Sequence, residues 1–390
     1  MDVIQTRGKA AMTDVTPEIL DSAAARLPQM LADIQRLVEV ETPSEDKAAV
    51  ARGAAEVAAL TAERLGVTPE TVEIDGVTHL RLRFGAGAPK VVLVNHQDTV
   101  WPHGTLARKP FTHEDGVLRG PGVFDMLTGV VMSLHAAAML QEKGHSLDGL
   151  SILVTGDEEV GSISSRQLIE DEARSARAAF VLEAAAAGAL KIARKGTSNY
   201  DVVVHGRAAH AGLEPEKGIN AGIALGLLLP EIEALGDPEA GTTVTPTVIT
   251  AGTTTNTVPD RAQVTVDARA TSIAEQERVD QQIRQLTSSM AGAEVEVLGS
   301  INRPPMERSA AEGLFAEAQE LAATLGLPEL KGVEVGGASD GNFTAALGVP
   351  TLDGMGAVGD GAHAEHEHAL VEHIAPRTAL LAGLMARKLD

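Results

Sequence analysis

The hydrophobic pattern of the N-terminal half of the chain predicts helices that alternate with buried strands. Apolar residues recur at helical spacing in Pro17–Val40 and in Lys47–Leu65. Largely apolar runs, without regular polar alternation, open the segments Val91–Val100, Leu150–Thr155 and Ala178–Leu182. Such runs are typical of strands in a parallel sheet that is covered on both faces. The alternation of helices and strands therefore predicts an open α/β sheet.

A different pattern begins near Lys195 and predicts a small unit inserted into the larger one. Its elements follow in the order strand, helix, strand, strand, helix, strand, which is the split βαβ arrangement. These elements are Asn199–His205, Ile219–Leu235, Thr242–Thr250, Ala262–Ala270, Ile273–Met290 and Ala293–Leu298. The first pattern returns after Arg303 as Ala310–Leu325, Pro350–Leu352 and Ile374–Lys388. We therefore expect a main domain in two pieces, residues 16–196 and 305–390, an insert at residues 197–304, and a loose tail at residues 1–15.

Polar side chains with metal-binding chemistry follow three of the predicted strands. They are His96 and Asp98 after the first strand, Glu158 and Glu159 after the second, Glu183 after the third, and Asp125 in the glycine-punctuated loop between the first two. The carboxyl ends of parallel strands lie at one edge of a sheet, where ligands bind. Imidazole and carboxylate groups, without a thiolate, suit zinc, manganese or cobalt in a hydrolytic site. A solvated acidic loop is the alternative for residues 157–159, and the convergence of several strand ends argues against it.

Composition and charge exclude several classes of function. The formal net charge of −22 argues against a nucleic-acid partner, since phosphate binding needs clustered Lys and Arg. The absence of cysteine excludes disulfides and thiolate metal sites, and it is compatible with a reducing cytoplasm. The N-terminus lacks the apolar core of a signal peptide, and we expect no run near the ~20 apolar residues that span a bilayer. The sequence thus predicts a cytoplasmic protein that does not bind membranes.

Six segments occur in the order and spacing of the M20 family of metallopeptidases. They are VNHQDTV, GPGVFDMLTG, TGDEEVGS, VLEA, AAHAG and GAHAEHEHAL. From about Leu31 to the C-terminus the chain resembles this family, and in particular its carboxypeptidase G2 (glutamate carboxypeptidase) branch. The resemblance implies a two-part zinc-peptidase catalytic domain, a mixed sheet flanked by helices. It also implies that the βαββαβ insert is a ferredoxin-like lid and dimerisation domain.

The resemblance also implies roles for individual residues of the catalytic domain. It implies two zinc ions per chain, or cobalt or manganese in their place. One ion would be held by Asp125, Glu159 and His363, and the other by His96, Asp125 and Glu183. Asp98 would support His96, and Glu158 would be the general base that takes a proton from the attacking water.

Four residues of the predicted insert match the family's lid and substrate residues. His210 would reach an active site, often that of a partner subunit, and stabilise the developing oxyanion, which implies a homodimer. Asn256 would contact the substrate. Arg269 and Arg303 would bind a substrate α-carboxylate, as a bidentate guanidinium can, and a surface salt bridge is the alternative for each.

Two segments depart from the family pattern. The usual loop reads Asp, any residue, Lys, Gly, Gly, whereas here Asp125 is followed by Met-Leu-Thr-Gly. The bridging acid is retained, but the missing lysine and glycine change the wall beside the metals and hence the substrate preference. The C-terminal segment carries the extra histidines His366 and His368. We expect His363 to be the ligand because of its place in the motif. We expect His366 and His368 to lie beside the site or on the surface.

These observations predict a hydrolase of small amides. The leading interpretation is two-zinc hydrolysis of an N-acyl amino acid or peptide-like substrate with release of its C-terminal amino acid, and the two arginines favour glutamate. Alternatives within the family are an aminoacylase or deacetylase, such as the acetylornithine and succinyl-diaminopimelate relatives, and an N-carbamoyl amide hydrolase. A catalytically silent ligand-binding relative is a further alternative, against which the retained Glu158 and five candidate ligands argue.

Overall fold

The computed structural model describes residues 16–390, so the predicted tail at residues 1–15 lies outside the described residues. The chain divides into two compact units. The first contains the chain up to Leu190 together with Gly313–Gly332 and Thr351–Asp390, and the second contains Lys191–Glu312 and Val333–Pro350. The predicted insert, residues 197–304, falls inside the second unit.

Helices and strands cover most of the described chain. The helices are α1 (Thr16–Val38), α2 (Lys47–Leu65), α3 (Thr105–Arg108), α4 (Thr128–Glu142), α5 (Arg166–Ala173), α6 (Ala221–Glu233), α7 (Ile273–Ile283), α8 (Arg308–Thr324), α9 (Gly341–Ala346) and α10 (Ile374–Leu389). The strands are β1 (Glu70–Ile74), β2 (Val77–Arg83), β3 (Val91–His96), β4 (Thr112–Glu114), β5 (Val117–Arg119), β6 (Leu150–Thr155), β7 (Ala178–Val181), β8 (Leu190–Arg194), β9 (Gly196–His205), β10 (Thr243–Ala251), β11 (Arg261–Ala270), β12 (Glu294–Arg303), β13 (Gly332–Val335), β14 (Thr351–Leu352), β15 (Gly359–Asp360) and β16 (His368–Leu370).

The first unit is built on a mixed six-stranded sheet in the order β1-β2-β6-β3-β7-β14. Strands β6, β3, β7 and β14 are parallel, while β1 and β2 are antiparallel to their neighbours. All six residues of β3 are buried, which is why this strand reads as a continuous apolar run. Helices α4, α5 and α10 contact β3. The expected mixed sheet flanked by helices is thus confirmed.

Local sequence signals set the ends of α2, and a close approach requires glycine in α4. The Asp46 side chain caps α2 by accepting hydrogen bonds from the backbone N–H groups of Ala48 and Ala49. Gly66 ends α2 in the left-handed conformation at φ 70°. In α4, a Cβ on Gly129 would lie 2.1 Å from the carbonyl oxygen of Leu182, so only glycine lets this helix pack so close to the end of β7.

One helical stretch in the described chain, Val123–Glu142, is long and apolar enough to cross a membrane by length and composition. The expectation that no segment would pass this test was therefore wrong. However, 94% of its apolar window is buried inside the protein. Helix α4 packs against α1 and α10, and such burial on all sides is typical of a core helix.

The second unit contains a four-stranded antiparallel sheet in the order β10-β11-β9-β12. Its apolar residues share one core with α6 and α7, which therefore cover the same face of the sheet. Tyr200, Val264, Leu228 and Ile283 are among the buried residues of this core. The order of strands and helices is βαββαβ, and the expected ferredoxin-like insert is confirmed.

The end of one helix and an additional small sheet are among the differences from the sequence expectation. Helix α7 ends at Ile283 rather than Met290. The following residues include Thr287, Ser288 and Ser289, which favour turns over helix interiors, and the Ser288 hydroxyl accepts a hydrogen bond from the N–H of Met290. A small sheet in the order β15-β16-β5-β4 was not predicted, because strands of two or three residues are too short to show a periodic pattern.

Candidate metal centre

The ends of three parallel strands bring the predicted ligands together. In the register of the sheet, His96 lies opposite Thr155, the last residue of β6. On the other side of β3, Val94 lies opposite Val181, two residues before Glu183. The segments that follow β3, β6 and β7 therefore start from the same sheet edge, as expected for parallel strands.

His96 lies at the centre of the first group of ligands. Its Nε2 atom lies 3.4 Å from Oδ1 of Asp125 and 3.4 Å from Oε1 of Glu183. Its Nδ1 atom lies 3.0 Å from the backbone carbonyl oxygen of Asp98, so Nδ1–H is the donor in that contact. This tautomer leaves Nε2 as an electron-pair donor that faces the two carboxylates, which is the form of histidine that binds metals.

The second group is built around His363. Its Nε2 atom lies 2.9 Å from Oε2 of Glu159 and 3.5 Å from Oδ2 of Asp125. The two oxygens of Asp125 thus face different histidines, Oδ1 facing His96 and Oδ2 facing His363. Of the neighbouring histidines, His366 lies 4.0 Å from Asp360 and His368 bonds a backbone carbonyl.

A short turn decides where Glu158 and Glu159 point. Residues of an extended strand would present these neighbours on opposite faces, but Glu158–Val160 forms a turn of 3₁₀ helix. The Asp98 carboxylate accepts hydrogen bonds from the N–H of Glu158 and the N–H of Glu159, both at 3.2 Å. It also accepts one from the Ser44 hydroxyl at 2.7 Å. Asp98 therefore holds this turn, and ligand atoms of Glu158, Glu183 and His96 lie within 4.8 Å of one another.

Hydrogen bonding and burial shift the pKa values of this cluster. Burial opposes protonation of His96, but the nearby carboxylates of Asp125, Asp98 and Glu183 raise its pKa well above the usual value. Asp125 and Glu159 raise the pKa of His363 to about 10. Burial raises the pKa of Glu159 to about 7, and the contact with His363 opposes that rise. Without a bound metal ion, these raised pKa values mean that the cluster binds protons, which offset the negative charge of its carboxylates.

The donor set fits a metal ion. Among the described residues the buried Nε2 atom of His96 has no hydrogen-bond partner, although two carboxylate oxygens lie 3.4 Å away. Ligand atoms of His96, Asp125 and Glu159 also lie within 4.8 Å of one another. Imidazole nitrogen and carboxylate oxygen are zinc ligands, and a cation would both satisfy Nε2 and offset the repulsion among the carboxylates.

The raised pKa of His363 predicts how pH affects the protein after chelation of metal. Its pKa in the folded chain is about 10 against an ordinary value of 6.5. The stabilisation from its protonated form is therefore complete below pH 6.5 and is lost as the pH rises to about 10. We expect chelator-treated protein to unfold at a higher temperature than chelator-treated His363→Ala at pH 6, with the difference shrinking toward pH 10. A difference that stays constant over this range in calorimetric scans would contradict the assignment.

The two predicted lid residues lie on neighbouring loops of the second unit. The N–H of Ala211 donates to the carbonyl oxygen of Asn256 at 2.8 Å, and His210 pairs with Thr257 across the same contact. The Nδ1 atom of His210 accepts a hydrogen bond from the N–H of Gly212 at 3.1 Å. Both predicted lid residues are exposed. Their roles toward substrate stay predictions.

The two predicted substrate arginines also lie in the second unit, and both form ion pairs there. Arg269 donates to Asp267 at 2.9 Å and 3.2 Å, and to the carbonyl oxygen of Gly336. Arg303 is 7% exposed, and its guanidinium lies 3.2 Å from Asp340. The pair of Arg269 is partly exposed, whereas that of Arg303 is buried. Substrate binding by these arginines stays a prediction.

Two buried acids that shape the site were not predicted from the sequence. Asp157 accepts hydrogen bonds from the Ser164 N–H and hydroxyl, both at 2.7 Å, and so fixes the segment after the Glu158–Val160 turn. Glu367 is fully buried and binds the loop that carries Asp125. In the sequence it stands among exposed histidines and glutamates, where no periodic signal distinguishes it.

Comparison with known proteins identifies the family of the chain. The family model described as "Peptidase family M20/M25/M40" matches residues 92–387. Carboxypeptidase G2 from Pseudomonas sp. (strain RS-16) is 28% identical over 384 residues, which cover 94% of this chain and 90% of that protein. A succinyl-diaminopimelate desuccinylase from Phenylobacterium zucineum (strain HLK1) is 27% identical over 360 residues, covering 86% of this chain and 93% of that protein.

Solved structures show the same fold. An M20 family metallo-carboxypeptidase from Sulfolobus solfataricus aligns with a TM-score of 0.70 at 16% identity, covering 92% of this chain and 99% of that one. The resemblance inferred from six short segments is thereby confirmed. The chain belongs to peptidase family M20/M25/M40 and is a hydrolase.

Proposed function

We propose that the chain is a two-zinc amidohydrolase that releases the C-terminal amino acid from a small N-acyl amino acid or peptide-like substrate. The position of Asp125 carries this proposal. Its two oxygens lie 3.4 Å from Nε2 of His96 and 3.5 Å from Nε2 of His363. One carboxylate that faces two separate histidines, each with a further glutamate beside it, suits a pair of cations that share a bridging ligand. Asp125, Glu159 and His363 would hold one ion, and His96, Asp125 and Glu183 the other.

The residues of the chain would act on the substrate in a defined order. Zinc, when bound, lowers the pKa of water and polarises a carbonyl oxygen. The carboxylate of Glu158 accepts a proton from the attacking water and returns it to the nitrogen of the leaving amino acid. Asp98 keeps Glu158 in place through the backbone N–H of that residue. His210, supplied by a lid, donates a hydrogen bond to the developing oxyanion.

Two arginines on the strands that flank β9 in the second unit's sheet support an acidic leaving group. Arg269 on β11 and Arg303 on β12 both lie opposite Thr197 of β9, one on each side. Directly opposed residues of neighbouring strands share a face, so both guanidinium groups start from the same face of the sheet. Two guanidinium groups match the two carboxylates of a C-terminal glutamate. We therefore propose glutamate as the released amino acid.

A cavity of about 450 Å³ in the first unit borders the predicted ligand Glu159. We propose that it receives the acyl group of the substrate. Its apolar lining includes Val100 and Val160, each 41% exposed, and its acidic lining includes Glu45 and Asp46. An apolar acyl group fits these walls. Asp46 is paired with His103 of the same lining at 2.8 Å, so the like charge that a succinyl carboxylate would meet is that of Glu45, and this contact is unfavourable.

Amide hydrolysis by zinc-loaded protein tests the proposal. We expect release of glutamate from 4-aminobenzoyl-glutamate to exceed release from N-succinyl-glutamate in kcat/KM by at least about tenfold, since one unfavourable carboxylate contact need only cost about 1.4 kcal/mol. We expect 4-aminobenzoyl-alanine to be a poorer substrate than 4-aminobenzoyl-glutamate, and the matched variant Glu45→Gln to reduce the discrimination against succinyl.

The possible outcomes separate the parts of this proposal. Equal rates for glutamate and alanine conjugates would contradict the role of the arginines. Hydrolysis confined to N-acetyl or N-succinyl amino acids would identify a deacylase, and hydrolysis confined to N-carbamoyl-glutamate would identify a carbamoyl amide hydrolase. No release from any substrate by zinc-loaded protein would reject amide hydrolysis.

A homodimer and a cytoplasmic location complete the proposal. Strand β10 lies at the edge of its sheet, and the surface of the second unit exposes Ile223 and Leu227 of α6 together with Val248 and Ile249 of β10. An edge strand beside exposed apolar side chains favours pairing with a second copy. A monomeric mass in sedimentation equilibrium at micromolar concentration would contradict the dimer.

A further inference from the structure

A buried carboxylate binds the backbone of the loop that carries Asp125. Glu367 accepts hydrogen bonds at Oε1 from the N–H groups of Phe124 and Asp125, at 3.0 Å and 3.2 Å. At Oε2 it accepts hydrogen bonds from the N–H of Gly122 at 3.0 Å and from the Trp101 indole at 2.7 Å. Each oxygen thus accepts two hydrogen bonds, so all four polar contacts of this side chain are with N–H donors.

The same segment supplies a predicted metal ligand. Glu367 lies four residues after His363, and β16 follows it directly. The Nε2 atom of His363 lies 3.5 Å from Oδ2 of Asp125, while Glu367 accepts a hydrogen bond from the backbone N–H of Asp125 at 3.2 Å. One stretch of chain therefore sets both a histidine ligand and the loop that presents the shared carboxylate.

We propose that Glu367 is a positioning residue that fixes the Asp125 loop relative to His363. In this way it sets the affinity of the protein for the metal ion that Asp125 and His363 would share. This inference rests on the proposed metal centre. Groups that orient ligands through hydrogen bonds change metal affinity by about 10- to 100-fold when removed. The ion held by Asp125, Glu159 and His363 is affected most, because the link between two of its three ligands is lost.

Trp101 offers a spectroscopic signal at this contact. It is the single tryptophan of the sequence, and it is buried with its indole N–H on Glu367. The ammonium group of Lys109 lies 4.2 Å from the centre of its ring. Any shift of the Asp125 loop that moves Glu367 changes the hydrogen bond and the charge near this indole. Its fluorescence therefore reports on the Glu367 contact without any substrate.

The test compares Glu367→Gln with the control Glu365→Gln in the full-length chain. Glu365 lies two residues away, is 73% exposed and only approaches Arg108 at 3.8 Å. Zinc binding to chelator-treated protein is measured by titration calorimetry and by Trp101 fluorescence. We expect Glu367→Gln to bind one of two zinc ions about 10- to 100-fold more weakly, with an altered Trp101 emission on zinc addition. We expect Glu365→Gln to bind zinc as the unchanged protein does.

A merely structural role would lower the unfolding temperature without weakening one ion selectively. If Glu367→Gln does not fold, Trp101→Phe removes one of the hydrogen bonds and leaves the carboxylate in place, and we expect a smaller loss of affinity for the same ion. Unchanged affinity for both ions in the folded variants overturns the inference alone. Failure of the unchanged protein to bind zinc overturns the metal centre and the inference with it.

Discussion

We expect Glu158→Gln to lower kcat by about 10²- to 10⁴-fold in zinc-loaded protein, because this is the usual contribution of a general base. Glutamine keeps the size of the side chain but cannot accept the proton of the attacking water. Glu158 is 8% exposed, and its backbone N–H is held by Asp98, so the variant should keep the local structure. Initial rates on 4-aminobenzoyl-glutamate, together with zinc content by atomic emission, measure the effect. We expect the zinc content to remain unchanged, because Glu158 is a proton acceptor in the proposal.

Glu372→Gln serves as the control for this variant. Its side chain is 79% exposed and only approaches His373, at 3.7 Å. We expect it to have normal kcat and zinc content. A Glu158→Gln variant that loses zinc in proportion to its activity would instead identify Glu158 as a ligand, which its closeness to His96 and Glu183 permits. Full activity of Glu158→Gln would remove it from the reaction.

Asp125→Asn is expected to weaken zinc binding by more than about 100-fold, since it replaces a ligand rather than a group that orients one. The amide presents an N–H₂ group where one carboxylate oxygen faced a histidine, so it cannot ligate on both sides. Because Asp125 is shared, both ions are affected and activity falls with them. Calorimetric titration of chelator-treated protein with zinc measures the loss.

Asp115→Asn is the matched control. Asp115 lies in the exposed turn between β4 and β5 in the left-handed conformation at φ 51°, which asparagine tolerates. The substitution is chemically the same as Asp125→Asn but lies outside the cluster, and we expect normal zinc affinity. Two zinc ions bound tightly by Asp125→Asn would rule out a bridging role for this carboxylate.

Much of the fold could be predicted because its signals are local. Strand β6 has the predicted bounds because it is a continuous apolar run. Helix α2 has the predicted bounds because a capping acid precedes it and a glycine closes it. The insert was recognisable because its strands and helices follow each other in a fixed order. The end of α7 could not be predicted, because it depends on weak propensities. The short strands β15 and β16 could not be predicted either, because they depend on tertiary pairing alone.

For the candidate site, the sequence by itself determined the chemistry of the donors and their order along the chain. Imidazole and carboxylate groups after three buried strands already indicated a metal-dependent hydrolase. Only the tertiary structure decided how these groups face one another. It is the turn held by Asp98 that brings Glu158 and Glu159 toward the same cluster, and the position of the C-terminal segment that puts His363, rather than His366 or His368, beside Asp125.

Glu367 shows the physical reason for this division. Its identity as an acid is printed in the sequence, but its importance comes from burial and from backbone N–H groups more than two hundred residues away in the chain. Backbone donors are the same in every residue type, so no side-chain pattern records which carboxylate will meet them. Side-chain chemistry and periodicity are therefore readable from the sequence, whereas contacts made to the backbone across the fold appear only once the chain has folded.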